Sequence, residues 1–407
     1  MNSIEIKPDI FWVGAIDWAM RDFHGIATPT GTTYNNYLIL DEDITLIDTV
    51  KYDFSDVGIN NVKGMIDPKK IKNIVINHIE DDHMGALERF VGLIGADNVT
   101  IYASAKGKEG IGKFFDATHW NIKVVKTGDE LKIGKYTLLF IETPMLHWPD
   151  SMMTYVKGAK LLISQDAFGQ HIATTARFDD EFVSGPCLNE LDAAVIDYYA
   201  NILMPFGKLI KTKIAQIQSM GLDIDMIAPD HGVIWRTYPQ RPLDMYMDMA
   251  NGNALLRVTI IYDTMWKNTE QMTLPIIQGI KQEGVDCKVV KLTTTPISVA
   301  ITEYWKSRAC LIGSSTLNNL ALPSVAEFVY FLQGLRPKDR LMGAFGSYGW
   351  AGGAVKWLYD MYDAMKLQTI KPGMQIQFHP SLDDVNTCYE FGRNFAREVK
   401  QYHKGFE

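Results

Sequence analysis

At 407 residues the chain is longer than one hydrophobic core comfortably holds, which points to two large domains. Apolar residues at 47% and charged residues at 22% exclude a disordered or fibrous class, and a net charge of -8 without clustered Lys and Arg excludes nucleic acid as a main partner. The amino terminus, MNSIEIKPDIFWVG, lacks a basic segment before a long apolar run, and no apolar stretch reaches membrane-spanning length, so a cytoplasmic protein without membrane association is expected. Cys187, Cys287, Cys310 and Cys388 are far apart and read as reduced thiols; a built-in rubredoxin-type centre would need two CxxC pairs.

In chain order, a strand-like run at 10–13 precedes runs at 36–40 and 44–47, which enclose an acidic turn at 41–43 and form a hairpin. Helical patterning at 54–65 and a buried strand at 71–76 follow, then a helix at 84–93, a strand at 99–102 and a helix at 106–115. Hairpins are expected at 129–142 and 153–166, the second turning at Gly158, before a long helical region at 189–220 and a strand at 224–228. This half reads as two stacked sheets with helices outside, assigned to residues 1–250.

Residues 74–87, IVINHIEDDHMGAL, end a β-branched run in His78, Glu80, Asp82 and His83. Later candidates also follow strand-like runs: His147 after 138–141, Asp166 after 161–164 and His231 after 224–228. A lone His or Asp in a loop is ordinarily solvated or hydrogen-bonded, but this clustering points to four strand ends converging on a metal. The pattern resembles the metallo-β-lactamase superfamily motif H-x-H-x-D-H, with Glu80 where the middle His is usual. Three carboxylates supply harder oxygen donors than an imidazole-rich zinc site does, which favours a non-haem di-iron centre.

Residues 235–254 are polar, with Pro239, Pro242 and Gly252-Asn253, and read as a domain connection. Beyond it, runs at 258–262, 287–292, 309–312, 341–345 and 374–378 alternate with helical segments, predicting a doubly wound, five-stranded parallel sheet over 254–407. Ligands bind such sheets at the carboxyl ends of the strands. After the first run, Thr264, Met265, Trp266, Lys267, Asn268 and Thr269 open a helix and resemble the flavodoxin phosphate loop, T-x-x-x-N-T, with Lys267 at a usual glycine position. Ser314, Ser315, Thr316, Leu317, Asn318 and Asn319 follow the third run, and Ser347, Tyr348, Gly349, Trp350 and Gly352 the fourth. Such loops read as ordinary turns singly; three at the expected strand ends point to a flavin, and FMN fits better than a dinucleotide because GxGxxG is missing after the first run.

A β-lactamase-like domain followed by a flavodoxin-like one resembles the flavodiiron (A-type flavoprotein) family over nearly the whole chain. The segments DWAMRDFHGIATPTGTTYNNYL, PMLHWPDSM, SQDAFGQH, YYANILMPF, APDHGVIW and YDTMWKNTE carry the resemblance. It implies an αββα sandwich followed by a flavodoxin-like sheet, in the minimal form without rubredoxin or reductase extensions. It further implies FMN and two oxo- or hydroxo-bridged non-haem irons: His78, Glu80 and His147 on one iron, Asp82 and His231 on the other, and Asp166 bridging. His83 matches the motif, though its ligation differs among members; His24 and His171 would line the pocket, contact the exogenous ligand or equally support the ligands from behind, and Tyr198 and Tyr199 are lesser pocket candidates that read better as packing residues.

The implied activity is four-electron reduction of dioxygen to water as oxygen detoxification, two electrons coming from the irons and two from the flavin. Nitric oxide reduction with a rubredoxin-type donor is the same-site alternative. The overall look resembles methanogen-type members that oxidise reduced coenzyme F(420), and the family arrangement is a head-to-tail homodimer that can pair again as a dimer of dimers. A zinc hydrolase of the metallo-β-lactamase superfamily and a flavodoxin-like electron carrier with a degenerate metal domain are the readings from other classes.

Overall fold

The computed structural model describes residues 3–182 and 189–402; Cys187 lies outside them. The chain divides into two compact units, one of Met1–Phe23, Thr28–Tyr198 and Lys208–Met247, the other of His24–Ala27, Tyr199–Gly207 and Asp248–Glu407. Two short segments from the first half, including His24, thus group with the second unit rather than follow a single cut at residues 250–254.

The first unit is built on a seven-stranded and a five-stranded sheet. The larger runs Ile4–Lys7, Ile10–Trp12, Tyr37–Ile39, Thr45–Ile47, Asn73–Val75, Thr100–Ala103, Asn121–Val124. The smaller runs Glu130–Lys132, Thr137–Glu142, Met152–Lys157, Leu161–Gln165, Met226–Pro229. Side chains alternate across each strand, so Tyr37, Ile39, Ile47 and Val75 join Leu138, Phe140, Leu161 and Ile163 in one core. Their neighbours Leu38, Leu46 and Ile74 face the other way, onto Val62, Leu87, Phe90 and Ile111 of the covering helices. Two sheets packed face to face with helices outside them is the sandwich the sequence suggests.

Three local differences have physical causes. The helix expected at 84–93 is split into Asp81–Met84 and Leu87–Ile94, and a Cβ on the intervening Gly85 would sit 2.4 Å from Asp81 O and 2.5 Å from Tyr52 N. The long helix at 189–220 is broken into Asn189–Tyr198, a π turn Tyr199–Leu203, a 3-10 turn Met204–Phe206 and Gly207–Ser219. Pro205 lacks an N–H and crowds the carbonyl four residues back, which ends regular α-helix there. The connection at 235–254 holds a helix, Gln240–Ala250, whose buried Tyr246 hydroxyl accepts from the Phe168 N–H at 3.0 Å.

In the second unit the parallel sheet runs Asp286–Lys291, Leu255–Tyr262, Ser307–Gly313, Leu341–Tyr348. It has six strands rather than five, because Gln368–Thr369 and Met374–Gln377 both pair with Leu341–Tyr348 along its length. Strand order reverses between the first strand, Leu255–Tyr262, and the third, Ser307–Gly313, which opens a crevice at their carboxyl ends.

Candidate metal centre and cofactor cavity

Four strand ends of the first unit bring ligand-type side chains together. His78 and Glu80 follow Asn73–Val75, and Asp82 and His83 lie on the next helical turn. His147 follows Thr137–Glu142, Asp166 follows Leu161–Gln165, and His231 follows Met226–Pro229. Ligand-type atoms of His78, Glu80, His147 and Asp166 all lie within 4.8 Å of one another, as do those of Asp82, His83 and His231. Asp166 faces both groups: its Oδ2 is 3.1 Å from His147 Nε2 and 3.4 Å from His78 Nε2, and its Oδ1 is 2.9 Å from His83 Nε2 and 3.3 Å from His231 Nε2.

Outward nitrogens of three imidazoles are held from behind. His78 Nδ1 is 3.0 Å from Asp150 Oδ2, which also accepts from the Ile79 N–H at 2.8 Å. His83 Nδ1 is 3.1 Å from Asp230 Oδ2, and His231 Nδ1 is 2.6 Å from Thr33 O. Such partners fix the tautomer and leave Nε2 free to bind a cation. Thr33 Oγ1 accepts from the Gly232 N–H at 2.7 Å, while Asn35 donates to Pro229 O and Gly232 O, so the turn carrying His231 is tied to the strand Thr32–Tyr34.

Both carboxylate oxygens of Asp82 and of Asp166, and Nε2 of His83, are buried without a hydrogen-bond partner among the described residues. A protein does not normally leave that much polar surface uncompensated, and cations between the two groups would satisfy it. Burial works against ionising His78, yet Asp150, Glu80 and Asp166 outweigh it and raise its pKa to about 10. In the same way Asp166 and Asp82 raise His231 to about 9 against its burial. Burial would push the Asp166 carboxyl up, but His83, His147 and His231 hold it well below the usual range. Without a metal, protons on the imidazoles balance the carboxylates; a metal takes that place.

His171 lies beside this centre, its ring 4.8 Å from His231, 5.1 Å from Tyr198 and 4.6 Å from Phe23, and its Nδ1 is 2.9 Å from Thr32 Oγ1. Burial, then His231, push its pKa down to about 3, so the ring is neutral. His24 is exposed and belongs to the other unit, as does Tyr199, which stacks on Trp305.

The second unit holds a cavity of about 420 Å³ at the carboxyl ends of its strands, within the range of small-molecule sites. Met265, Trp266, Asn268, Ser315, Thr316, Leu317, Asn318, Asn319, Ser347, Tyr348, Gly349 and Trp350 line it, joined by Ala351 and Phe378. Of the expected residues, Thr264, Lys267, Thr269, Ser314 and Gly352 are outside this lining. Thr269 lies buried, its hydroxyl 2.9 Å from both Ser315 Oγ and Ser347 Oγ, joining the three loops. Ser314 is also buried and serves the backbone, accepting from the Leu322 N–H at 2.9 Å.

Trp266 and Lys267 adopt left-handed φ of 51° and 64°, the conformation that makes glycine usual at the second position. They lead into the helix Asn268–Gln282, whose N-cap has no side-chain cap, so its first N–H groups can serve an anion such as a phosphate. Trp266 and Trp350 stand 87% and 92% exposed at the rim, flat apolar surfaces suited to a ring. These residues fit an aromatic phosphomonoester. Asp150, Asp230, Thr33 and Phe378 escape sequence reasoning, although the first three lie in segments that carry the family resemblance and Phe378 ends the last strand-like run.

A family profile described as ODP family beta lactamase matches residues 32–232, and one described as flavodoxin matches 260–392. The chain is 42% identical to a nitric oxide reductase of Moorella thermoacetica over 98% of this chain and 99% of that protein. It is 41% identical to the anaerobic nitric oxide reductase flavorubredoxin of Salmonella typhi, over 97% of this chain and 82% of that protein. Among solved structures, rubredoxin oxygen:oxidoreductase from Desulfovibrio gigas matches with a TM-score of 0.93 at 36% identity, covering 98% of this chain and 99% of that one. The flavodiiron protein from Giardia intestinalis matches with a TM-score of 0.93 at 31% identity, covering 100% and 98%.

Proposed function

The chain belongs to the flavodiiron protein family, and on that premise we propose that it reduces dioxygen to water with electrons passed through FMN. It is a flavodiiron oxidoreductase whose cofactors are FMN and a non-haem di-iron centre. When bound, the irons and the fully reduced flavin together supply the four electrons that turn dioxygen into two waters, or the two that turn two nitric oxide molecules into nitrous oxide and water.

The observation that carries the reading is the pair of ligand groups meeting at Asp166, with its two carboxylate oxygens buried and unpartnered. In this reading His78, Glu80 and His147 would hold one iron and Asp82, His83 and His231 the other, with Asp166 facing both groups. Glu80 in place of a histidine speaks against the zinc hydrolase, and the full ligand set against a degenerate metal domain. His171, neutral and with no hydrogen-bond partner for its Nε2 among the described residues, would present that nitrogen to the exogenous ligand. Tyr198, whose pKa burial raises well above its ordinary value, keeps its hydroxyl proton and walls the site from water. The cavity between the loops at 264–269, 314–319 and 347–352 would hold FMN, the uncapped first N–H groups of the helix Asn268–Gln282 being available to its phosphate.

Nitric oxide is the second reading, favoured by the identity to curated nitric oxide reductases. For the donor we propose reduced coenzyme F(420), with a rubredoxin-type protein as the competing choice suggested by the relatives' names. These 407 residues contain no CxxC pair, so a rubredoxin-type centre is not held among them. Ligand cluster and flavin cavity lie in different units, and a head-to-tail homodimer would set one subunit's FMN against the partner's irons. No helix among the described residues is long and apolar enough to cross a membrane.

The test is anaerobic turnover of protein loaded with FMN and iron, with oxygen and nitric oxide electrodes and three donors: reduced F(420), reduced rubredoxin and NADH. Oxygen uptake without peroxide supports the first reading, and uptake of nitric oxide alone shifts it to the second. FMN bleached only by rubredoxin rejects the F(420) donor. No uptake of either gas with any donor rejects both readings.

A further inference from the structure

We propose that the second unit carries an anion site at the amino ends of its strands, built by Arg336, Lys338 and Lys366 and fitted to a small oligophosphate. The cavity there is about 490 Å³ and, among the described residues, shares none with the flavin cavity. Its walls are two turns: one leads from the helix Pro323–Gly334 into the strand Leu341–Tyr348, the other from the helix Ala354–Ala364 into Gln368–Thr369. The flavin cavity lies at the far end of Leu341–Tyr348, 8 residues or roughly 25 Å away. A molecule held here is therefore neither the flavin nor a donor touching it.

Charge sets this cavity apart. Its lining holds three cations against one carboxylate, Asp339, in a chain of net charge -8, whereas among the described residues no charged side chain lines the flavin cavity. Arg336, Lys338 and Lys366 are exposed, and none makes a side-chain hydrogen bond or ion pair among the described residues. Basic residues behind a helix ordinarily serve its last carbonyls. Here the backbone does so: the Arg336 N–H donates to Gln333 O at 3.1 Å, the Lys366 N–H to Asp363 O at 3.0 Å and the Leu367 N–H to Tyr362 O at 3.0 Å. Arg336 and Lys366 hold φ of 49° and 59°, the left-handed conformation glycine usually takes after a helix, so both helices end in a long cation where the backbone favours no side chain.

The inner wall is fixed by Arg340, which is 1% exposed and donates to Asp339 O at 2.9 Å, Gly252 O at 3.0 Å and Trp305 O at 2.6 Å. Among the described residues only carbonyls accept from it, so its charge adds to the positive potential behind Asp339. Gln333 and Gln368 add amide donors to the lining. Separate cations on two turns suit tetrahedral phosphate groups, which accept from several sides, better than a flat carboxylate, which pairs with one fork.

The probe is inorganic pyrophosphate, titrated by calorimetry into the holoprotein with FMN and iron bound, at about 0.15 M salt. One equivalent is expected to bind. Arg336→Gln, Lys338→Gln and Lys366→Gln should each weaken it about 10-fold, the loss of one charge-assisted contact. Lys132→Gln, at an exposed lysine of the first unit, should leave it unchanged. Binding that all three cavity variants leave intact belongs to another site and overturns the proposal, as does no binding at millimolar pyrophosphate. Citrate, of similar charge, should bind at least about 10-fold more weakly, and equal affinity overturns the assignment to phosphate. Should a variant fail to fold, acetylation of the wild type decides alone. Pyrophosphate should shield Lys338 and Lys366, but not Lys132, from acetic anhydride; equal labelling with and without it overturns the site.

Discussion

Thr269→Val tests the claim that a buried knot of hydroxyls holds the three cofactor loops together. Thr269 has no exposed surface, and its Oγ1 is 2.9 Å from Ser315 Oγ and 2.9 Å from Ser347 Oγ, which are themselves 3.2 Å apart. Valine matches threonine in size but can neither donate nor accept, so no cavity opens and only polar terms change. Two buried hydrogen bonds at about 1 kcal/mol each are lost, and one serine falls short of a partner. Ser315 keeps the Met265 N–H at 3.1 Å, which limits that second cost. The expected loss is about 2–3 kcal/mol, or a fall in melting temperature of about 4–12 °C for a domain of this size. Because the knot ties loops that line the cavity, part of the loss should reappear as weaker FMN binding, about 10-fold for each 1.4 kcal/mol. Urea unfolding of the flavin-free protein, followed with an FMN titration, separates the two effects, and Thr269→Ser serves as the control that keeps the hydroxyl. Thr269→Val within about 0.5 kcal/mol of wild type, or Thr269→Ser harmed more than Thr269→Val, would refute the reasoning.

Three further perturbations probe other parts. Gly353→Ala places a Cβ 2.0 Å from the Asn319 carbonyl oxygen and 2.6 Å from its carbon, so the turn at 318–319 must move; an FMN titration should show at least about a 10-fold loss, equal to about 1.4 kcal/mol. Asn35→Ala removes bonds to Pro229 O, Gly232 O, Trp12 Nε1 and Arg177, and should destabilise the first unit by about 2–4 kcal/mol while lowering metal content and sparing FMN content, read by metal analysis and flavin absorbance. Glu283 is held down to about 2, mainly by Arg397, with Lys400 and Arg393 contributing. A carboxyl lowered on folding stabilises above its unfolded pKa near 4.3, and that contribution is lost as pH falls through about 2. The urea-midpoint gap between wild type and Glu283→Gln should therefore be constant above about pH 5 and narrow steadily below about 4.3.

Much of the fold is legible locally because periodicity is a local property. The β-branched run before His78 reads as a strand, and the spacing His78-x-Glu80-x-Asp82-His83 delivers four ligand-type side chains within two turns of chain. Regular alternation after residue 254 reads as a parallel sheet, and the loops at its strand ends read as a cofactor site because topology dictates where ligands sit. Pro205 and Gly85 show the limit of periodicity: an apolar pattern continues through both, while a missing N–H and a crowded Cα interrupt the helices.

What the tertiary structure alone decides is the layer behind the ligands. Thr33 and His231 are 198 positions apart, and His78 and Asp150 are 72 apart, so no spacing rule joins them. The same holds for Asp230, which in sequence is one more acidic residue beside a histidine and in space is the carboxylate facing His83. His24, read in sequence as a pocket residue, belongs to the other compact unit, and the polar stretch at 235–254 folds into a helix once Tyr246 has Phe168 to pack against. Ligand identity is written in the residues that must be donors, whereas ligand orientation depends on whichever distant groups the sheets bring behind them.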